Sequence, residues 1–301
     1  MKRLLVFIIQ SFISIFYNNF IYLTQKRYRY EPYNHPERNF GKENLVIWKN
    51  YELELHSMLN SYSYKDFLRW KVIQKTMFMN NHQICKKELT SLQQSTNWNL
   101  FWNKKLVDPP FGNPLRSFYR IQASCNTIHH AYHIEQYINY AGKNILQEIN
   151  HIFEFGGGYG NFCRLIYEIG YKYTYTIYDL PQFSNLQKYY LSNTLSTNNW
   201  NCISDLEGLS FDNVSNKNSK TLFVATWSLS ESPLELRNEI TTLLTGCNYF
   251  LIAYQYKFSD IDNYMYFTDI FQKSFVDTNW INFEIPQLPG SFYLFGKPQK
   301  G

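Results

Sequence analysis

No two cysteines in this 301-residue chain are spaced as Cys-x-x-Cys, and the five present, at 85, 125, 163, 202 and 247, are an odd number. A disulfide framework and a structural zinc site are both disfavoured, and a reducing, cytoplasmic setting is expected. There is no uninterrupted apolar run long enough to span a bilayer: within residues 4–23, Gln10, Ser11, Asn18 and Asn19 break the pattern. No small-residue cleavage site follows that run, so it does not read as an efficient secretory signal. Two readings of residues 1–25 stay open. Flanked by Lys2, Arg3, Lys26, Arg27 and Arg29, the segment is either a helix on the inner face of a membrane or a helix packed on the protein. The net charge of +5 owes much to these first residues, so a nucleic-acid footprint over the body of the chain is lacking. No internal repeat is visible, and no histidine lies beyond His151.

What is present in abundance is aromatic: Phe, Trp and Tyr make up 19% of the chain, alongside much Asn, Lys and Ile. That bias reads as genomic composition rather than function. Length and ordinary hydrophobic content allow about two domains. Residues 44–142 are mainly helical in pattern, with Leu53, Met58, Leu59, Phe67, Leu68 and Val72 at near-helical intervals. The cluster Asp108, Pro109, Pro110, Gly112, Asn113 and Pro114 interrupts them as a loop. From residue 151 onward, short apolar runs alternate with helical patterns, which predicts βαβ units and a parallel sheet. Strands are expected at 152–155, 173–178, 202–204, 222–226 and 249–256, a helix at 264–276, and a closing hairpin of 281–285 and 292–295 around Pro289-Gly290. Residues 192–199 and 213–219 read as surface loops. The organisation expected is an apolar segment 1–25, a helical, substrate-binding region 26–145, and a Rossmann-like α/β domain 146–301 with helices on both faces.

The densest signal is Ile152-Phe-Glu-Phe-Gly-Gly-Gly-Tyr-Gly-Asn161, a strand running into a glycine turn and then a helical pattern at 162–168. Glycine permits positive φ and close approach of backbone to a ligand. The free amides at the following helix start favour a negative group such as a carboxylate. Spacing separates two cofactor classes. A dinucleotide fingerprint is Gly-x-Gly-x-x-Gly/Ala, but counted from Gly156 its last position is Asn161; Gly156, Gly158 and Gly160 instead satisfy Gly-x-Gly-x-Gly. The next strand ends in Tyr178-Asp179-Leu180-Pro181, where a carboxylate can accept hydrogen bonds from both hydroxyls of a ribose.

The run Glu154-Phe-Gly-Gly-Gly-Tyr-Gly, followed by Tyr178-Asp-Leu-Pro, resembles class I methyltransferases that use S-adenosylmethionine (SAM). In detail it resembles the sugar O-methyltransferases associated with bacterial surface polysaccharides. Gly112-Asn-Pro114, the segment Thr226-Trp-Ser-Leu-Ser-Glu-Ser-Pro233 and the tail 290–298 extend the similarity over roughly residues 112–298. The resemblance implies a doubly wound α/β sheet, SAM as donor and a carbohydrate hydroxyl as acceptor. It places Glu154, Gly156, Gly158 and Gly160 at the methionyl part, Asp179 and Leu180 at the ribose, and Asp205 and Leu206 beside the adenine. Tyr159 is either a ring facing the sulfonium or a packing residue. The glycine turn and Asp-Leu-Pro also resemble plant-type small-molecule O-methyltransferases. Their basic histidine follows the fourth strand, and this chain has none there.

A base from the fourth-strand loop would therefore be Glu231, whose alternative role is a carboxylate ahead of the helix at 234–243. His129 and His133 form a rival pair one helical turn apart, with His130 beside them. Two imidazoles without a nearby carboxylate make a thin ligand set, and Glu135 points elsewhere on the helix, so no metal is expected. A degenerate, non-catalytic binding module is the second class of function the fold would allow.

Overall fold

The structure, a computed structural model, describes residues 43–62, 64–118, 122–207, 209 and 220–299. The apolar segment 1–25 and the surface loop expected at 213–219 lie outside the described residues.

Seven strands form one sheet: β1 His151–Phe155, β2 Thr174–Tyr178, β3 Trp200–Ile203, β4 Thr221–Thr226, β5 Tyr249–Gln255, β6 Thr278–Glu284 and β7 Ser291–Pro298. Their order is β3-β2-β1-β4-β5-β7-β6. The first five run parallel, while β7 lies antiparallel between β5 and β6. This is the doubly wound sheet expected, closed by the expected hairpin. Connections from β1 lead to β2 on one side and, after β3, back to β4 on the other. The chain order thus reverses between β1 and β4, which opens a crevice at their carboxyl ends.

Alternation along the strands assigns the two faces. Ile152, Leu222, Val224, Leu251 and Phe295 point into one cluster, and Phe153, Phe223, Ala225, Phe250 and Leu294 into another. The first cluster is covered by α1 Glu43–Ser61, α2 Lys71–Thr76, α3 His82–Gln94, α4 Cys125–Ala141, α5 Asn161–Glu168 and α6 Pro181–Thr194. Leu55, Phe67, Ile128 and Ile138 share its core with the sheet residues; α4 meets β7, α3 packs on α4, and α1 lies on α2 and α6. The second face is covered by α7 Leu234–Leu243 and by the aromatic segment that follows β5.

Local chemistry fixes the helix starts. The Asn81 side chain accepts the amides of Gln83 and Ile84 ahead of α3, and Ser124 accepts that of Thr127 ahead of α4. Each bond satisfies a donor that the first helical turn leaves free. Pro181 opens α6, where its missing N–H costs nothing. The loop at 107–114 contains neither helix nor strand, as its prolines require.

Two expectations are corrected. Leu53 is 57% exposed, and Leu55 supplies the buried position instead, because α1 turns a different stripe toward its neighbours α2 and α6. The helix expected at 264–276 is a short α-turn, Asn263–Met265, then a π-helix, Tyr266–Phe271, and a 3-10 turn, Gln272–Ser274. Tyr266, Phe267, Phe271 and Phe275 must all be buried, with Phe271 and Phe275 against Phe250 and Phe267 against Tyr254. A strict α-helical repeat does not bring four such rings to one face, and the wider π turn does.

Candidate functional site

The crevice between β1 and β4 deepens into a cavity of about 340 Å³, within the size range of small-molecule sites. Its floor is the glycine turn. Gly156, Gly158 and Gly160 all have positive φ, at 75°, 58° and 92°. A Cβ on Gly156 would sit 2.3 Å from Cβ of Ser228, so the turn and the β4 loop can close together only over a bare α-carbon. The Gly156 amide donates to the carbonyl of Tyr178 at 2.8 Å and ties the turn to the end of β2.

Two carboxyl groups face this floor. Glu154 is buried, accepts a bond from the Tyr175 hydroxyl at 2.9 Å, and is pushed up to about 8, chiefly by burial. Asp179 accepts from the Leu180 amide at 2.9 Å and the Gln187 side chain at 2.8 Å. Burial raises it to about 7 despite these bonds. The same Gln187 amide reaches the carbonyl of Gly158 at 3.0 Å, so one fully buried side chain holds both the glycine turn and Asp179. The backbone amides of Gly158 and Gly157 also act on this carboxyl and oppose the rise.

The opposite wall comes from α4 and the β4 loop. His129, His133 and Glu231, far apart in sequence, all line the cavity with Glu154, Gly156, Gly158, Tyr159, Asp179 and Leu180. Burial lifts Glu231 to about 7, with Arg237 opposing the rise. Burial holds His133 well below the usual imidazole range, so it is neutral near pH 7. Tyr159 is 1% exposed, stacks on Phe78 with ring centres 5.6 Å apart, and accepts a bond from Asn126 at 3.3 Å. It is a packed wall of the cavity.

Three of the expected contacts fall outside the cavity lining. Gly160 opens α5, and a Cβ there would press on Leu191 at 3.1 Å, so its bareness serves the packing of α5 against α6. Asp205 is exposed and accepts the Glu207 amide at 2.9 Å, capping its own turn. Leu206 packs on the second core cluster. Flat apolar surface inside the cavity comes instead from Trp48, Phe78, Tyr178 and Phe183.

Asn161, where a dinucleotide fingerprint would have its last small residue, is buried and committed. Its oxygen accepts from Arg164 at 3.1 and 2.8 Å, and its amide reaches Thr127 at 3.3 Å and His130 at 3.1 Å. Glu135 likewise serves the fold, accepting from Asn97 at 3.2 and 3.1 Å and from the Trp102 indole at 2.7 Å.

Neither a protein-family model nor a curated protein sequence matches the chain. Solved structures do. Magnesium protoporphyrin IX methyltransferase from Synechocystis PCC 6803, with bound SAM, aligns at 12% identity and a TM-score of 0.42 over 74% of this chain and all (100%) of that one. An rRNA methylase from Streptococcus thermophilus aligns at 16% and 0.37 over 55% and 97%. A SAM-dependent methyltransferase from Aquifex aeolicus aligns at 15% and 0.39 over 54% and 87%. At these values the alignments add nothing to what the residues of the cavity say about chemistry.

Residues absent from the sequence-based expectations complete the site. Gln187 sits on the buried face of α6, two turns beyond Asp179, which was its one legible signal. Trp227, directly after β4, has φ of 64°, uncommon for a bulky residue, and its amide donates to Ala253 at 2.7 Å. Glu88 on α3 is fully buried and meets Nδ1 of His129 at 2.7 Å. Nothing in the spacing of residues 88 and 129 announces that contact.

The raised carboxyls make the free protein sensitive to base. Between the ordinary 4.5 and about 8, folded Glu154 keeps a proton that the unfolded chain releases; Asp179 does the same from 3.8 to about 7. Stability therefore falls as pH rises through this window, by on the order of a few kcal/mol. Below about pH 6.5 the depressed imidazoles of His130, His133 and His151 give the opposite slope, so thermal melts of the ligand-free protein from pH 7 to 9 are expected to show a falling Tm, with a smaller fall in Glu154→Gln. A Tm that climbs across this range would contradict the protonated state of the cavity.

Proposed function

We propose that the chain is a SAM-dependent methyltransferase that methylates a hydroxyl of a sugar or glycan, in the biosynthesis of surface polysaccharide. One observation carries the reading: the Gly-x-Gly turn after β1, Glu154 and Asp179 line the same cavity as His129, His133 and Glu231. The donor fits the residues present. Buried carboxyls without a full counter-charge favour a cationic ligand, and Glu154 with Asp179 offers that environment on the glycine floor. Bare α-carbons let the turn lie against a ligand, and the Asp179 carboxyl at the end of β2 suits a ribose hydroxyl. Glu154, Gly156 and Gly158 would hold the methionyl part, with Asp179 and Leu180 at the ribose. The aromatic wall of Trp48, Phe78, Tyr178 and Phe183 would take the base.

When bound, SAM supplies an electrophilic methyl group on a positively charged sulfur. The protein's own contribution is alignment and a proton acceptor. Holding two reactants in line is worth up to about 7–11 kcal/mol of barrier in favourable cases, against about 10²–10⁴-fold for a general base. A sugar hydroxyl is a poor nucleophile near neutral pH, so the acceptors on the opposite wall matter. Glu231, lifted to about 7, and the imidazole of His129 are both suited to take its proton.

A cytoplasmic setting agrees with the burial of all five cysteines. Among the described residues no helix is long and apolar enough to cross a membrane. Peripheral membrane contact through residues 1–25 would favour a lipid-linked saccharide as acceptor.

The test is transfer of labelled methyl from SAM to nucleotide sugars, lipid-linked saccharides and polysaccharide, beside phenolic small molecules and RNA. Label in the saccharides supports the proposal. Label only in phenols or RNA overturns the sugar assignment and keeps the reaction class, while binding of donor without turnover on any acceptor favours a non-catalytic module.

A further inference from the structure

The wall opposite the glycine turn holds an arrangement that cofactor binding does not use. His129 and His133 lie one turn apart on α4, with ring centres 4.1 Å apart, and Trp227 touches both, at 5.4 and 5.3 Å. The two imidazoles are tied back differently. Nδ1 of His129 meets Glu88 at 2.7 Å, and the same carboxylate oxygen accepts the Gln287 amide at 2.9 Å. Nδ1 of His133 is bonded to the Tyr293 hydroxyl. In both rings Nε2 is the nitrogen left over. That of His133 is fully buried and has no partner among the described residues, although its ring lines the cavity. A buried polar atom without a partner is rare in folded proteins and calls for an explanation, an absent ligand among them.

Trp227 supplies the third element. It holds a left-handed backbone conformation at the carboxyl end of β4, a strain that persists only where surrounding contacts impose it and that gathers at functional sites. The indole offers a broad apolar surface beside two polar nitrogens, the mixture that the C–H face and hydroxyl rim of a saccharide would meet.

We propose that His129, His133 and Trp227 form the acceptor subsite, that it receives two neighbouring hydroxyls of one saccharide ring, and that Glu88 positions His129 to take the proton. This rests on the methyl-transfer reading above. One hydroxyl oxygen attacks the methyl carbon and forms the C–O bond. The C–S bond breaks and its electron pair stays on sulfur as a thioether. The hydroxyl proton passes to Nε2 of His129, and the resulting imidazolium faces the Glu88 carboxylate. The adjacent hydroxyl bonds to Nε2 of His133, which fixes which oxygen is methylated. Glu88 touches neither substrate; with Nδ1–H held by the carboxylate, the lone pair of Nε2 is turned to the cavity.

Nitrogen-15 spectra of the imidazoles in the full chain test this without any acceptor being known. At a pH where the ring is neutral, His129 is expected to carry its proton on Nδ1, and Glu88→Gln is expected to shift the population toward Nε2–H. S-adenosylhomocysteine (SAH) affinity should stay within about twofold in that variant, since Glu88 is not among the residues lining the cavity. Methyl glycosides of common hexoses, titrated into SAH-loaded protein, are expected to move both ring resonances. Analogues lacking one of the paired hydroxyls should move only one ring. An Nε2–H tautomer in the unsubstituted protein, or rings unmoved by every glycoside while SAH still binds, would overturn the acceptor subsite and leave the cofactor assignment standing. Loss of SAH binding in Glu88→Gln would also overturn it, by placing Glu88 in the support of the cofactor.

Discussion

Replacing Asp179 with alanine is expected to weaken SAH binding by at least about 100-fold, while leaving the protein as stable as before, or more so, at pH 8. Hydrogen bonds to a charged group are worth about 1.5–3 kcal/mol each, and under the proposed function Asp179 would accept such bonds from the ribose. The stability side follows from its surroundings. Burial raises Asp179 to about 7, so above that pH the free protein carries a carboxylate in a setting that disfavours charge. Removing it relieves that cost at the expense of binding, a common trade at functional sites. Calorimetric titration and thermal melts of the same variant read both halves. A drop in both affinity and Tm would make Asp179 a structural residue of the β2–α6 turn.

Gly156→Ala should have the larger effect on the fold. Its φ of 75° is costly for alanine, and the new methyl would lie 2.3 Å from Cβ of Ser228. Strain of this kind costs on the order of 1–3 kcal/mol, and relief of the overlap would push the β4 loop, with Trp227 and Glu231, away from the turn. A Tm lowered by roughly 2–5 °C is expected for a chain of this size, together with loss of SAH binding. Adding Ser228→Gly should recover part of the Tm, because it removes the overlap but not the φ strain. Full recovery of both Tm and binding would show that the glycine's conformation is immaterial.

Much of the fold was legible because its strands are short, apolar and bounded by turns. Four of the five parallel strands were placed within one residue of their observed ends, and β3 was expected to start two residues late and end one residue late. The glycine turn and Asp179 were legible for the same reason: their chemistry is local. What sequence could not show was long-range. The strand order depends on which edges pair, and the Leu53 stripe on α1 is decided by what the helix lies against. Glu88 meeting His129, and Tyr293 meeting His133, depend on α3, α4 and β7 converging from distant parts of the chain. Asp205 and Leu206, after β3, engage in a turn and a core contact and do not line the cavity.

On the proposed function, this cavity binds SAM. Titration of the purified full chain with SAH, run beside NAD, tests it most directly. Micromolar SAH binding with no comparable heat from NAD is the result expected from the Gly-x-Gly turn, Glu154 and Asp179. A folded protein that ignores SAH, or that prefers NAD, would contradict the account.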